Sequence, residues 1–298
     1  MDVEPGTEKP NAPSPPVTPP QAAGRSGKGA IAGWIIGGVA LCLVLLVMVF
    51  FCGTCFLMSA AFRHSGYSGA GVGLIEIDGV LASNGSGFGG VTTSQSVVER
   101  LHAAVKNRNV KAVLLRVDSP GGTPAAAEEI YQEVARTARS KPVVVSIGDL
   151  GASAAYYLSS AANFIYAMPD SEVGSIGVIL QIPNVEGLNE KIGMRWYVFT
   201  QGQYKDIGSP YRAPTPEEQA ILQEQMKVAY DHFIRDVASG RRMDEAAVRR
   251  LATGITFPGI QAKELGLIDE IGNYRDALTK AGRLGGIKGE VRAIPLKR

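Results

Sequence analysis

The sequence predicts an α/β fold in which helices flank a mostly parallel sheet. Short apolar runs with the character of strands alternate with longer amphipathic runs with the character of helices. Two of the helical runs open on recognisable start signals. Alternation of this kind is typical of βα units, whose strands pair in parallel beneath the connecting helices.

The individual strands and helices can be placed along the chain. The strand-like runs cover residues 72–77, 112–117, 143–147, 164–167, 178–182 and 196–199. The helix-like runs cover residues 94–106, 124–140, 154–162 and 216–237, with shorter ones at 245–251, 260–265 and 274–281. The helix at 216–237 has the clearest start, because Thr215 can cap it and Pro216 suits its first turn.

The chain before the domain divides into a tail, an anchor and a linker. Residues 1–28 predict a disordered tail, since seven of the chain's 17 prolines fall in the first 20 residues. A proline-rich ligand for a partner domain is the alternative for this tail. Residues 29–62 carry no charge and exceed the roughly 20 residues that a membrane-spanning helix needs. They predict a single-pass anchor, with a cleaved signal peptide as the alternative.

Residues 63–71 then form a short Gly/Ser-containing linker, and residues 72–298 form the folded domain. The distribution of basic residues predicts the topology. Lys9, Arg25 and Lys28 precede the anchor, whereas the next basic residue of the Lys or Arg type after Arg63 is Arg100. Because basic residues favour the cytoplasmic side, we expect a cytoplasmic N-terminus and an extracytoplasmic domain.

Composition excludes several classes of function. The formal net charge is +2 and no Lys/Arg-rich run stands out, so nucleic-acid binding has no electrostatic support. All three cysteines lie in the apolar stretch, which leaves the domain without disulfides or a thiolate metal site. No HExxH or comparable motif is present, and we predict neither a metal nor another cofactor.

Ser153 is the strongest candidate nucleophile. It follows the apolar run 143–147 and lies in a turn of small residues, Gly151-Ala152-Ser153-Ala154-Ala155. Small neighbours let backbone and substrate approach closely, and the start of a helix favours a negatively charged oxygen. An ordinary helix-capping serine is the alternative.

A base and an oxyanion site must accompany a nucleophilic serine. None of the three histidines is well placed for a Ser-His-Asp triad, which directs attention to Lys205. The paired glycines Gly121 and Gly122 can point N–H groups at a developing oxyanion, and Ser175 can orient a lysine amine. Taken singly, each has a plainer alternative: a surface lysine, a βα turn and a turn serine.

Together these segments resemble the signal peptide peptidase A family of membrane-anchored Ser/Lys proteases, in its short, single-repeat form. The resemblance covers about residues 70–275. Its motifs are residues 113–122, the Ser153 turn, 173–178, 203–210, 253–256 and 262–272. The sequence departs from the commoner family pattern at Ala154 and Ala155, where glycine is frequent.

The resemblance implies a role for each candidate residue. Ser153 is then the nucleophile, Lys205 the general base and Ser175 the residue that orients the lysine. The N–H of Gly121 or Gly122, with that of Ala154, forms the oxyanion hole. The implied fold is that of the Clp protease and crotonase superfamily, a superhelix of ββα units.

The resemblance also implies partners and substrates. Short members of the family form rings, described as octamers, in which serine and lysine can come from neighbouring protomers. The family degrades signal peptides left in the membrane and prefers apolar, small side chains near the cut. Three alternatives remain open: a protease specific for one integral membrane partner, a crotonase-like acyl-CoA enzyme, and a non-catalytic membrane scaffold.

Overall fold

The computed structural model describes residues 46–50, 69–84 and 90–296. Residues 46–50 are helical and belong to a different unit from the described residues that begin at 69. The predicted tail at 1–28, most of the predicted anchor at 29–62 and most of the linker at 63–71 lie outside the described residues. Within the part that the structure describes, no helix is long and apolar enough to cross a membrane.

A nine-stranded sheet forms the centre of the described domain. The strands are β1 (Gly71–Ala82), β2 (Val91–Thr93), β3 (Val110–Gly122), β4 (Val143–Ala152), β5 (Phe164–Ala167), β6 (Glu172–Gly174), β7 (Thr256–Pro258), β8 (Glu270–Ile271) and β9 (Ala293–Pro295). Their order is β2-β1-β3-β4-β5-β8, with β9 beside β1, β6 beside β4, and β7 beside β6. Every pair is parallel except β6 and β7, which confirms the predicted mostly parallel α/β sheet.

Helices cover both faces of this sheet. They are α1 (Ser94–Lys106), α2 (Pro124–Ala138), α3 (Ala154–Ser160), α4 (Glu186–Ile192), α5 (Pro216–Arg241), α6 (Glu245–Leu251), α7 (Gly259–Glu264) and α8 (Tyr274–Leu284). Along β3, Val113, Leu115 and Val117 pack into the larger apolar cluster with α1 and α2, while Leu114 packs against α8. A parallel sheet buried on both faces explains why its strands read as continuous apolar runs.

The carboxyl ends of three strands meet at one edge of the sheet. Ser119 of β3 pairs with Gly151 of β4, and Ala152 of β4 pairs with Gly174 of β6. The residues that come one to three positions after these pairs therefore lie close together. They are the candidate site residues of the sequence: the paired glycines at the end of β3, Ser153 and Ser175.

Two of the predicted strands are wrong. Residues 178–182 and 196–199 form no strand, and the helix α4 lies between them instead. We call residues 177–215, all of which the structure describes, the arm; none of them is buried. The β-branched and aromatic residues of the arm gave it strand character, but a strand also needs a partner, and Ile179 and Phe199 are 76% and 93% exposed instead.

Candidate active site

Ser153 occupies a strained turn between β4 and α3. Its backbone has φ 53° and ψ −121°, and its N–H donates to the carbonyl oxygen of Gly174 at 2.8 Å. A positive φ in a non-glycine residue costs free energy and is concentrated at functional sites. The Ser153 hydroxyl makes no capping hydrogen bond to α3. The alternative of an ordinary capping serine therefore does not describe this residue.

Ser153 faces two cavities of different character. The larger, of about 550 Å³, is also lined by Ser175, by Gln223, Met226 and Tyr230 of α5, and by residues 252–254. The smaller, of about 90 Å³, lies among mostly apolar side chains that include Ala127, Tyr157, Val178 and Phe233. We call the smaller one the apolar pocket. The nucleophile candidate thus has an open groove and an apolar pocket beside it.

Gly121 packs directly against Ser153. It has φ 107°, and a methyl group on its Cα would lie 2.8 Å from Ser153 Cβ and 2.9 Å from the Ala154 nitrogen. The Gly121 N–H, however, donates to Ser119 Oγ at 3.1 Å, and that hydroxyl donates to the Gly79 carbonyl at 2.5 Å. The N–H of Gly121 is therefore already hydrogen-bonded to the Ser119 hydroxyl within the turn and is not available to bind an oxyanion.

Gly122 and Ala154 are then the better-placed candidates for an oxyanion hole. Ala154 is the first residue of α3, and N–H groups of a first helical turn have no partner within their helix. At Gly122 a side chain would come within 1.8 Å of the Leu81 carbonyl oxygen, so this position requires glycine. Glycine at 122 thus lets β1 and β3 approach closely behind the nucleophile.

Ser175 lies next to Ser153 and lines the same larger cavity. Its φ is 50°, its N–H donates to the Ile255 carbonyl at 2.9 Å, and its hydroxyl donates to the Gly254 carbonyl at 3.1 Å. Because a hydroxyl also accepts, Ser175 Oγ can still receive a hydrogen bond from an amine that enters the cavity.

Lys205 does not join this group within one chain. It lies exposed in the arm, and it is not among the described residues that line either cavity. The next residue, Asp206, binds the guanidinium of Arg212, and these hydrogen bonds hold the pKa of the Asp206 carboxyl below its usual range. The structure therefore brings together every predicted site residue except the predicted base.

Lys227 lies in the helix that the sequence predicts over 216–237, and in the structure it lines the larger cavity. Its Nζ lies 2.7 Å from Asp231 Oδ2, and this hydrogen bond raises the pKa of Lys227. A raised pKa keeps the ammonium protonated, which makes Lys227 a poor proton acceptor. The i, i+4 spacing of Lys227 and Asp231 on α5 is the signal that could have predicted the pair.

The histidines take no part in the site among the described residues. His102 Nε2 lies 3.0 Å from Glu133 Oε1, where α1 packs on α2. His232 lies on α5 and lines neither cavity, and His64 is outside the described residues. Over residues 46–50, 69–84 and 90–296, no group of three or more His, Cys, Asp or Glu side chains is arranged to hold a metal ion.

Two protein families match this chain. The family model described as peptidase family S49 matches residues 135–288, and the one described as Clp protease matches residues 90–175. The two matches overlap on the segment that contains Ser153. The Clp protease match is consistent with the parallel sheet and its flanking helices.

Curated relatives agree with these families. A "Putative protease" of Methanocaldococcus jannaschii is 41% identical over 182 residues, which are 61% of this chain and 58% of that protein. A "Putative protease" of Synechocystis is 38% identical over 213 residues, which are 72% of this chain and 74% of that protein. The "Putative signal peptide peptidase SppA" of Enterococcus faecium is 38% identical over 208 residues, 68% of this chain and 60% of that protein.

The aligned segments thus cover between 58% and 74% of the length of each of these relatives. The family match extends over more than half of the chain and includes the Ser153 turn, Ser175 and the arm. The similarity to signal peptide peptidases that the sequence motifs indicated is confirmed. On the family match and on the identity to its relatives, this chain belongs to peptidase family S49.

Proposed function

We propose that the chain is a membrane-anchored serine endopeptidase that degrades leftover signal peptides and other apolar peptides. Ser153 is its nucleophile and Lys205 its general base. The observation that carries the proposal is the position of Ser153. Its backbone is strained, its hydroxyl is not used as a helix cap, and it lies between a groove and the amides at the start of α3.

The reaction is acyl transfer through a covalent intermediate. The neutral Lys205 amine accepts the hydroxyl proton as Ser153 Oγ attacks the peptide carbonyl carbon. The N–H groups of Gly122 and Ala154 stabilise the resulting oxyanion. The ammonium of Lys205 then donates its proton to the leaving amine, which breaks the peptide bond and leaves an acyl-enzyme. Water next attacks the acyl carbon as Lys205 accepts its proton, and the lysine returns that proton to Ser153 Oγ when the acyl group leaves. Ser175 orients the lysine amine by accepting a hydrogen bond from it.

The position of Lys205 supports a homo-oligomeric ring in which a neighbour supplies the base. The arm that carries Lys205 has no buried residue, although Tyr197 and Phe199 are large apolar side chains and are 78% and 93% exposed. Exposed apolar surface of this extent is typical of a protein interface. An arm that packs on the next protomer would bury these side chains and bring Lys205 to that protomer's Ser153.

The apolar pocket beside Ser153 supports an apolar substrate. Val178 and Phe233 offer it no charged partner, and its volume of about 90 Å³ suits a small side chain. The uncharged stretch 29–62 supports a membrane location, with the N-terminus cytoplasmic and the domain outside. Signal peptides left in a membrane have both properties, apolar side chains and proximity to the anchor.

A mixing experiment tests the proposed dyad. Ser153→Ala and Lys205→Ala should each abolish hydrolysis of an apolar peptide. Dissociating the two inactive variants and assembling them together should restore part of the activity, because some interfaces then combine an intact serine with an intact lysine. Activity in Lys205→Ala alone would contradict the proposal, and no restoration on mixing would contradict a dyad shared between protomers.

Two further measurements separate the proposal from its alternatives. A serine-reactive phosphonate should label Ser153 in the parent chain, whereas an acyl-CoA enzyme or a scaffold on the same fold would not require this. Cleavage of many free apolar peptides supports a signal peptide peptidase, whereas a single cut in one folded membrane partner would favour the narrower protease. A cysteine introduced at the exposed Gln95 should react with an impermeant reagent from the outer face of the membrane.

A further inference from the structure

Arg212 connects the turn that carries Lys205 to the start of α5. Its Nε and Nη2 donate to the two carboxylate oxygens of Asp206 at 3.0 and 2.9 Å. Its Nη1 and Nη2 also donate to the carboxylate of Glu218 at 2.7 and 2.5 Å. One guanidinium thus holds two carboxylates, each through two hydrogen bonds, in a geometry that an arginine offers and a lysine does not.

Glu218 is a firm attachment for this bridge. It is only 3% exposed, and its carboxylate also accepts from the N–H of Thr215, whose hydroxyl in turn accepts from the N–H of Glu218. This capping box fixes the first turn of α5. The same helix lines the groove beside Ser153 further along, through Gln223 and Tyr230.

The arm has few other attachments near Lys205. The ring of Trp196 stacks on that of Tyr211 with centroids 4.1 Å apart, directly before Arg212. Lys205 itself lies in an exposed run of turns. These turns are held by backbone hydrogen bonds between residues close in sequence, such as that from the Lys205 N–H to the Gly202 carbonyl at 3.2 Å. Among the described residues, the bridge from Arg212 is therefore the polar contact that joins this turn to a buried side chain, that of Glu218.

The charges of the bridge also bear on the lysine. Asp206 follows Lys205 directly, and an unpaired carboxylate there would stabilise the ammonium form over the neutral amine. Arg212 binds both Asp206 and Glu218. Arg212 and Asp206 line a cavity of about 280 Å³, and the other ionisable residues that line this cavity are Glu186, Glu190 and Tyr211. Every one of those neighbours is acidic or phenolic, so Arg212 is the cation that offsets the carboxylate beside the proposed base.

We propose that Arg212 is a positioning residue for the general base: it fixes the Lys205 turn to the start of α5 and offsets part of the negative charge of the carboxylate next to that lysine. The inference rests on the proposed function, because it requires that Lys205 accepts the proton of Ser153. It holds whether the serine belongs to the same protomer or to a neighbour, since the bridge lies wholly within one chain.

The test compares kcat, KM and the pH profile in full-length, membrane-extracted protein. For Arg212→Gln we expect kcat on an apolar peptide to fall about 10- to 100-fold, as is typical for a displaced catalytic group, with KM little changed. The pH midpoint of the rising limb of kcat should move up by about one unit, because Asp206 is then unpaired. In Arg212→Gln/Asp206→Asn the midpoint should return toward the parent's while kcat stays low.

Matched variants distinguish positioning from a loss of stability. Arg292→Gln removes an exposed Arg–Glu ion pair, to Glu290 at 2.7 Å, and should match the parent in kcat and midpoint. Should Arg212→Gln fail to fold with Glu218 unpaired, Arg212→Gln/Glu218→Gln removes the buried charge and makes the same comparison. If Arg212→Gln or Arg212→Gln/Glu218→Gln keeps the parent's kcat and pH midpoint while Lys205→Met is inactive, the positioning role is overturned and the proposed function stands. An active Lys205→Met would overturn both.

Discussion

The backbone N–H of Ser153 donates to the carbonyl oxygen of Gly174 at 2.8 Å, which extends the pairing of β4 and β6 by one residue beyond the strand ends. The hydrogen bond brings Ser153 beside Ser175, and both serines have a positive φ. Two strained non-glycine residues at neighbouring strand ends are held there by the sheet behind them. The strain is therefore maintained by the fold, and it presents both hydroxyls to one groove.

Replacing Ser153 separates catalysis from stability. Ser153→Ala should lower peptide hydrolysis about a thousandfold or more, as is typical when a nucleophile is removed. Its stability should stay near the parent's, because the hydroxyl makes no capping hydrogen bond that would be lost. Ser153→Gly should be equally inactive and yet more stable by roughly 1 kcal/mol, since glycine relieves the positive φ. Thermal unfolding checks this order, and a marked loss of stability in Ser153→Ala would contradict it.

The two lysines near the proposed chemistry should respond differently to substitution. Lys205→Met and Lys205→Arg should both be inactive, because neither side chain can accept a proton near neutral pH. Lys227→Met should change KM rather than kcat, since Asp231 holds Lys227 as an ammonium at the edge of the groove. Steady-state kinetics on one apolar peptide checks both. A loss of kcat in Lys227→Met with an active Lys205→Arg would identify Lys227 as the base.

Much of the site could be predicted from sequence because its signals are local. The apolar run before Ser153 and the small residues around it predict a strand, a turn and a helix, and the structure has β4 and α3 there. The helix that begins at Pro216 was equally clear from its capping residues. In these segments a few neighbouring residues decide the backbone, so no knowledge of distant contacts is needed.

The conformation of the arm and the bridge formed by Arg212 could not be predicted from the sequence, because both depend on contacts that local sequence patterns do not indicate. Residues 178–182 and 196–199 have strand-forming side chains, but they pair with no strand in the part of the chain that the structure describes. Strands of three residues, such as β6, are too short to show a period of two. Arg212 lies six residues from each of its two carboxylates, and the sequence does not reveal that one guanidinium binds both.

A methyl group at Gly121 should disturb the nucleophile directly. In Gly121→Ala the new Cβ would lie 2.8 Å from Ser153 Cβ, at a φ of 107° that side chains rarely adopt. We expect a loss of about 1–3 kcal/mol of stability from the backbone alone, together with a large fall in kcat. Gly289→Ala is the matched control, because its φ is 84° but nothing lies within 4 Å of its Cβ position. In thermal unfolding this control should show a similar backbone cost, while its kcat should stay close to that of the parent.

Glu218 should make the stability of the domain depend on pH in a defined acidic window. Hydrogen bonds from Arg212, and then from the backbone of Thr215, lower the pKa of Glu218 from 4.5 to about 2. A carboxyl whose pKa is depressed by folding stabilises the folded state fully above its unfolded pKa, and this stabilisation is lost as the pH falls toward the folded pKa. The Tm of the parent should therefore exceed that of Glu218→Gln by a constant amount above about pH 5, and the difference should shrink between pH 4.5 and about 2. A difference that stays constant across this range would show that the Arg212 bridge does not hold the carboxylate of Glu218 in solution.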